Sequence, residues 1–296
     1  MAITNPMKKR IQALKNEFDS IKKGKESLLI MIDEAEVPES VYNSNAIENS
    51  TLTLKETEKI LLEMEVSRDL NVREVFEAKN LARVMAYIRT KSQEKEIDKE
   101  LMLLLHQMLI GSIDDSIAGR FREQYEYVRI GTHIAPAPEH VQLMLDVALQ
   151  EYSKELDEYS LDKIARFHLE FETIHPFNDG NGRIGRVLIN YQLLRLGLVP
   201  IIIRDKEKAQ YYESFGMYRD KKNTKIMEKV ISLALTESLH KRIAYLKGGK
   251  IVTLSEYAKD HEKSAPALFN AARRQNIPAF REKGVWKIEE GFKYKS

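Results

Sequence analysis

The stretch Ser160–Gly197 sets the tightest limit on what this chain can fold into. Two segments of helical period, SLDKIARFHLEFETIH and the run from about Gly182 to Leu196, are separated only by PFNDGNG. Ile164, Phe167, Phe171 and Ile174 recur at helical spacing, so the first segment buries one face. Ser160 is its expected N-cap, and Pro176 stops it because proline cannot continue the hydrogen-bond ladder. Gly197 is the expected C-cap of the second segment. The chain must therefore build two helices joined by one tight, glycine-rich turn.

Helical periodicity dominates elsewhere too. Residues 7 to about 36 carry Ile11, Leu14, Phe18, Ile21, Leu28 and Leu29 on one face, and Pro38 is expected to end that segment. Thr53 and Glu56 form a capping-box pattern ahead of a helix reaching Met64. Further helices are expected near 72–92, 98–111, 139–153, 205–220 and 224–246. Strand signals are confined to EYVRIGTHIAPAPEH (126–140), read as a short hairpin or flap, and to the last 45 or so residues. The fold class is mainly α. Of the 296 residues, 43% are apolar and 31% charged, enough to bury a sizeable core. No cysteine is present, which excludes disulfides and thiolate zinc sites. The basic N-terminus is followed by no apolar segment of signal-peptide type, and no apolar run is long enough for a membrane span. A soluble, cytoplasmic chain with no membrane partner is expected.

The turn itself raises a chemical question. Arg183 and Arg186 open a helix whose N-terminus already carries partial positive charge. Gly180 and Gly182 allow positive φ and close approach, so successive N–H groups can cradle an anion. Two arginines on one face of the first turn suit a di- or triphosphate. Asp179 would be repelled by phosphate unless Mg²⁺ bridges them. His175, at the rim, is placed to act as a general base on an incoming hydroxyl. An EF-hand reading fails, because Arg183 falls where an oxygen ligand belongs; a P-loop is absent. These residues point to metal-assisted phosphoryl or nucleotidyl transfer.

HPFNDGNGRIGR, from His175 to Arg186, resembles in every fixed position the signature of the Fic family, H-P-F-x-[DE]-G-N-G-R-x-x-R. The resemblance extends over roughly residues 35–245. It implies a Fic-type helical bundle with a β-hairpin flap, divided as an N-terminal helical region (1–95), a catalytic core (96–246) and a small C-terminal domain (251–296). It implies transfer of AMP from ATP to a Tyr, Thr or Ser hydroxyl of a target protein. His175 would deprotonate the hydroxyl, Phe177 anchor the loop and Asp179 hold Mg²⁺. Gly180, Asn181 and Gly182 would line the anion hole. Arg183 would contact the phosphate chain, and Arg186 the γ-phosphate. RIGTHIAPAPEHV, with His133, resembles the flap that holds the target by edge pairing. IRDKEKAQYYESF resembles the segment covering the base, with Tyr212 and Phe215. Self-modification and a homodimer are further expectations from the resemblance. Other transferred groups, such as phosphocholine or phosphate, rank below AMP because Arg183 and Arg186 are both present.

SNAIEN matches the family's inhibitory pattern, [ST]-x-x-x-E-[GN]. Ser44 and Glu48 are one helical turn apart, on one face. The resemblance implies that Glu48 competes with ATP for Arg186 and holds the enzyme inactive. In some relatives the equivalent Glu supports the reverse reaction, so removal of AMP by a phosphodiesterase is an alternative.

From Thr253 the chain turns basic. Thr253 and Ser264 are expected N-caps of two short helices, and IPAFREKGVWKI reads as a hairpin about Lys283–Gly284. The order of elements resembles a winged helix-turn-helix of the excisionase type. That implies DNA binding through residues 253–290, with Arg273 and Arg274 near the major groove and Arg281 and Lys287 on phosphates. A packing module is the competing reading, and a DNA-binding regulator with a nucleotide-sensing Fic domain is the alternative function.

Overall fold

The computed structural model describes residues 5–66, 69–131, 133–154 and 158–294. The elements, in order, are α1 (Asn5–Ile21), α2 (Glu26–Ile47), α3 (Leu54–Glu58), α4 (Val72–Lys91), α5 (Lys99–Ile110), β1 (Arg129–Ile130), β2 (His133–Ile134), α6 (Val141–Lys154), α7 (Ser160–Ile174), α8 (Asn181–Arg195), α9 (Lys208–Lys221), α10 (Lys225–Lys247), β3 (Ile251–Thr253), α11 (Leu254–Asp260), α12 (Ala265–Arg273), β4 (Phe280–Glu282) and β5 (Val285–Glu289). The fold is mainly α. None of the described helices is long and apolar enough to cross a membrane.

The pair α7–α8 separates two apolar clusters. Phe167, Phe171, Ile174, Ile184, Leu188 and Tyr191 face a core shared with α4, α5 and α6. Leu161, Ile164, Ala165, Leu169, Ile189 and Leu193 face the opposite core, with α1, α9 and α10. Both helices are thus apolar on two sides, which fixes the turn between them in the middle of the molecule.

Two expectations for the N-terminal helices fail. Residues 7–36 are not one helix: Gly24, at φ +75°, breaks it between α1 and α2. Pro38 does not end α2 but lies inside it. The missing N–H there is offset by tertiary burial, since most side chains from Pro38 to Ile47 are buried. The capping box of Thr53 and Glu56 forms, and a short π-helical turn (Lys59–Glu63) follows α3. At α7 the N-cap is Tyr159, not Ser160, and no side chain caps it. Gly197, at φ +67°, sits just beyond Leu196, and the N–H of Leu198 closes back on Leu193 O at 2.9 Å.

β1 and β2 form a minimal antiparallel hairpin, Arg129 opposite Ile134 and Ile130 opposite His133. Residues 251–294 have a separate small core around Leu254, Tyr257, Leu268, Ile277 and Ile288, with Trp286 packed partly against it. The sheet order there is β3–β5–β4, antiparallel throughout. β3 had no clear sequence signal. Thr253 makes a full capping box on α11, whereas Ser264 stands at the N-cap of α12 without a side-chain bond. Lys283 and Gly284, at φ +50° and +76°, make the tight turn between β4 and β5.

That turn docks on α2. Buried Glu39 accepts from the N–H of Lys283 at 3.0 Å and of Gly284 at 3.1 Å, and pairs with Arg204. Glu237 of α10 lies between Arg204 (3.1 Å) and Arg281, whose Nη2 donates to its Oε2 at 2.5 Å. Arg281 also pairs with Glu207 and stacks on Trp286, and Lys287 pairs with Glu282. Arg281 and Lys287, expected from the sequence on DNA phosphates, are both paired with carboxylates of the chain itself. Arg273 and Arg274 are exposed.

Removing Glu237 would take one of two carboxylate partners from each of two largely buried guanidinium groups. Glu237→Ala is expected to destabilise the fold by about 3–5 kcal/mol, read as a fall in the thermal midpoint. A loss under about 1 kcal/mol, the range of exposed pairs, would show the network to be energetically idle.

Candidate active site

The turn between α7 and α8 is held from beneath by side chains that accept and donate like backbone. Asn181, buried at the start of α8, accepts from Phe177 N at 2.9 Å and donates to Phe177 O at 2.7 Å. Its side chain therefore staples the loop. Phe177 is fully buried and stacks on His106 with ring centroids 3.8 Å apart. His106 Nδ1 accepts from Gly119 N at 3.0 Å, so its Nε2–H donates to the Asp179 carbonyl at 3.1 Å. Burial holds its imidazole down to about 4, which keeps that tautomer neutral. His106 had no motif to mark it.

His175 ends α7 in the left-handed region, φ +51°. Non-glycine residues rarely adopt that conformation, and functional sites are where it concentrates. Burial lowers the imidazole to about 4, opposed by the Glu172 backbone carbonyl, which favours a ring N–H, and helped by the Arg122 charge. The ring is neutral at physiological pH. Its Nδ1 is buried, 3.8 Å from Glu172 Oε2. Burial pushes the Glu172 carboxyl up to about 8, the Glu48 carboxylate adding to the effect and Arg186 opposing it. Among the described residues, four of nine buried side-chain polar atoms without a partner cluster here: His168 Nδ1, Glu172 Oε1, His175 Nδ1 and Arg183 Nε. Unsatisfied polar atoms are uncommon in cores, and such a concentration marks a site.

Gly180 is the N-cap of α8 at φ +80° and brings no side chain to its first N–H groups. The anion nest expected from the sequence therefore has its donors in place. Gly182 differs from expectation: it is helical and needs no positive φ. A Cβ there would fall on Glu48 Oε1, so glycine is required for close approach.

Arg183 is buried and bridges Glu77 at 3.2 Å and Asp179 at 3.1 Å. Arg73 of α4 bonds both carboxylates from the other side, which closes a four-membered ring of charges. Neither Arg73 nor Glu77 was found from the sequence, because each comes from a helix without a motif. Asp179 turns Oδ2 toward the half-exposed Arg73 guanidinium, so a cation already stands beside it. One such carboxylate fits Mg²⁺ arriving with phosphate oxygens, an ion that typically takes one or two carboxylates. Among the described residues no group of three or more His, Cys, Asp or Glu side chains could hold a metal alone.

Arg186 is 5% exposed and makes four hydrogen bonds. Its Nε donates to Ser44 Oγ at 2.9 Å, and its Nη2 to Ser44 O and to Glu48 Oε1, both at 2.8 Å. Nη1 reaches the hydroxyl of Tyr211 at 3.3 Å, which also lies 2.9 Å from His168 Nε2. The sequence singled out Tyr212, but its neighbour Tyr211 touches Arg186. Tyr212 is 43% exposed and donates to Ile47 O at 2.8 Å, packing beside Tyr211 and Phe215. The site candidates thus come from the C-terminal end of α2, the α7–α8 turn, the first turns of α8 and, with Tyr212, α9.

With this geometry the comparisons are specific. Residues 96–193 match the family model described as Fic/DOC family. Over that third of the chain the sequence resembles a Fic domain. A curated relative named "Protein adenylyltransferase Fic", from Drosophila willistoni, is 33% identical over 177 residues, covering 58% of this chain and 35% of its own length. The chain thus spans about a third of that relative. A Fic domain containing signaling protein from Bacteroides thetaiotaomicron superposes with a TM-score of 0.73 at 24% identity, over 81% of this chain and 98% of that one. A Fic family protein from Desulfovibrio desulfuricans G20 superposes with a TM-score of 0.65 at 20% identity, over 100% and 99% of the two chains. The fold shared with these structures includes the Fic bundle of this chain.

The Glu172 carboxyl gives a test of the site's electrostatics. It is protonated below about 4.5 in both folded and unfolded chains. As pH rises toward 8, the unfolded chain ionises first, so the folded state loses stability across that window. Glu172→Gln removes this cost. The variant's unfolding free energy minus that of the wild type should be larger at pH 8.5 than at pH 5, by on the order of 1 kcal/mol per pH unit crossed.

Proposed function

We propose that this chain is an auto-inhibited protein adenylyltransferase that moves AMP from ATP to a Tyr, Thr or Ser hydroxyl of a target protein. The observation that carries the reading is a neutral imidazole at the rim of an uncapped helix N-terminus flanked by two buried arginines. The name of the curated relatives supports the transferred group.

His175 accepts the proton of the attacking hydroxyl at its Nε2, the ring nitrogen turned away from Glu172. The hydroxyl oxygen bonds to the α-phosphorus, the bond to the β-phosphate oxygen breaks, and pyrophosphate leaves. Bound phosphate charge raises the imidazole from its low resting value toward the range a base needs. The free N–H groups at the start of α8 hold the developing negative charge. Arg183 faces the phosphate chain. Asp179 would hold the Mg²⁺ that accompanies the triphosphate, an ion that neutralises charge on the departing pyrophosphate.

Glu48 and Ser44 supply the inhibition. They occupy Nε and Nη2 of Arg186, and Glu48 packs against Gly182 at the start of α8, where phosphate would approach. A carboxylate competing for a guanidinium blocks productive geometry without distorting the base.

With α-³²P-ATP and Mg²⁺, Glu48→Gly should carry about ten- to a hundredfold more protein-bound label than wild type, the worth of one charge-assisted hydrogen bond. Label should vanish in Glu48→Gly/His175→Ala. Equal labelling in wild type and Glu48→Gly would remove the inhibitory role. Labelling that survives loss of His175 would remove the base.

A second direction of the same chemistry has one observation in its favour. Glu48 spends Oε1 on Arg186, and its charge is felt at the His175 imidazole, so its other oxygen could orient a water for removal of AMP. Release of AMP from modified protein by the wild type, lost in Glu48→Gly, would support it. The regulator reading rests on exposed Arg273 and Arg274, and requires DNA binding that weakens steeply with salt.

A further inference from the structure

Arg122 precedes the flap and belongs to no motif. It is 3% exposed, and its guanidinium meets no carboxylate within bonding distance. Every bond it makes is to a backbone carbonyl. Nη1 donates to Glu126 O at 2.9 Å and Nη2 to Pro136 O at 2.9 Å. These residues lie just outside the two strands of the flap, one on each leg. Nε donates to His175 O at 2.8 Å and Nη2 also to Ile174 O at 3.3 Å, the last turn of α7. The Arg122 N–H donates to Pro176 O at 2.9 Å. The Glu126 carboxylate is taken by Arg120 at 2.7 Å, so it leaves Arg122 to the carbonyls.

A buried cation without a counter-ion is costly, and a simpler core residue would avoid the cost. What the arginine gains is geometry. A planar fork with five donors can hold the two legs of a hairpin and a third strand of backbone in one plane, which an ammonium cannot. The hairpin needs such a clamp: its strands are two residues each, and below them one further bond, Ala135 N to Val128 O at 2.9 Å, closes the pair. A two-stranded ribbon of that length does not hold its own position.

We propose that Arg122 is a positioning residue for AMP transfer, fixing the flap that presents the target hydroxyl at a set distance from His175. This rests on the transferase reading above. Through one side chain, the surface that binds the acceptor and the base that deprotonates it share a single rigid reference. A displacement of about 1 Å at either end is enough to cost on the order of a hundredfold in rate.

The test uses the full chain in the Glu48→Gly background. Arg122→Lys keeps the charge and stem but loses the fork; Arg122→Gln keeps a donor without the charge and serves if the lysine variant folds poorly by thermal unfolding. Three readouts are compared: protein-bound label from α-³²P-ATP, the ATP dissociation constant by calorimetry, and hydrogen–deuterium exchange of the backbone amides of 127–135. Label should fall about a hundredfold, ATP affinity should stay within about twofold, and exchange should rise in the flap but not in α7 or α8. Unchanged label, or label and ATP affinity lost together, overturns the proposal. If the Glu48→Gly parent transfers no AMP, the transferase reading fails, and the exchange data still decide the clamp: unchanged flap exchange overturns it.

Discussion

A buried guanidinium has to be satisfied by something, and Arg186 is satisfied by α2. The bonds from Ser44 and Glu48 tie the N-terminal helices to the first turn of α8 across more than a hundred residues of chain. The rest of α2 is arranged to keep that contact in place. Glu36 pairs with Lys241 and Arg242 of α10, and Glu39 holds Arg204 and the turn between β4 and β5. One helix therefore touches the catalytic turn at its C-terminal end and the C-terminal segment at its middle. Removing α2 from Arg186 leaves a buried charge open, and a triphosphate is the kind of ligand that could close it.

The α7–α8 turn is held in place for a different reason. Asn181 replaces the backbone pairing that the turn cannot make for itself, His106 supports Phe177 by stacking and Asp179 by a hydrogen bond, and Arg122 holds the last turn of α7. With those bonds made inward, the N–H groups at the start of α8 remain outward and free. Preorganised donors of this kind stabilise developing charge without reorganising when it appears. The charge ring of Arg73, Glu77, Asp179 and Arg183 holds the acidic residue of the loop in a basic surround, ready for exchange of one cation for another.

The α7–α8 turn was the part most legible in the sequence, because its chemistry is compressed into twelve contiguous residues. Period and capping residues located most helices for the same reason: the signal is local. What failed was non-local. Pro38 is carried inside α2 by burial that only the folded core supplies, and Gly24 breaks the N-terminal helix with no strong punctuation around it. The contact of Tyr211 with Arg186 depends on how α9 is rotated, which no local signal gives. His106, Arg122, Arg73 and Glu77 act through partners 50 or more residues away. Arg281 and Lys287 looked like a DNA-facing set because charge can be counted in a sequence but ion pairing cannot.

The central claim is that Arg186 is withheld from a γ-phosphate by Glu48. Calorimetric titration of ATP and ADP into wild type and Glu48→Gly tests it without requiring a target protein. If the claim holds, the variant should prefer ATP over ADP by about ten- to a hundredfold, and the wild type should show little preference. The same ATP-to-ADP ratio in both proteins would contradict it.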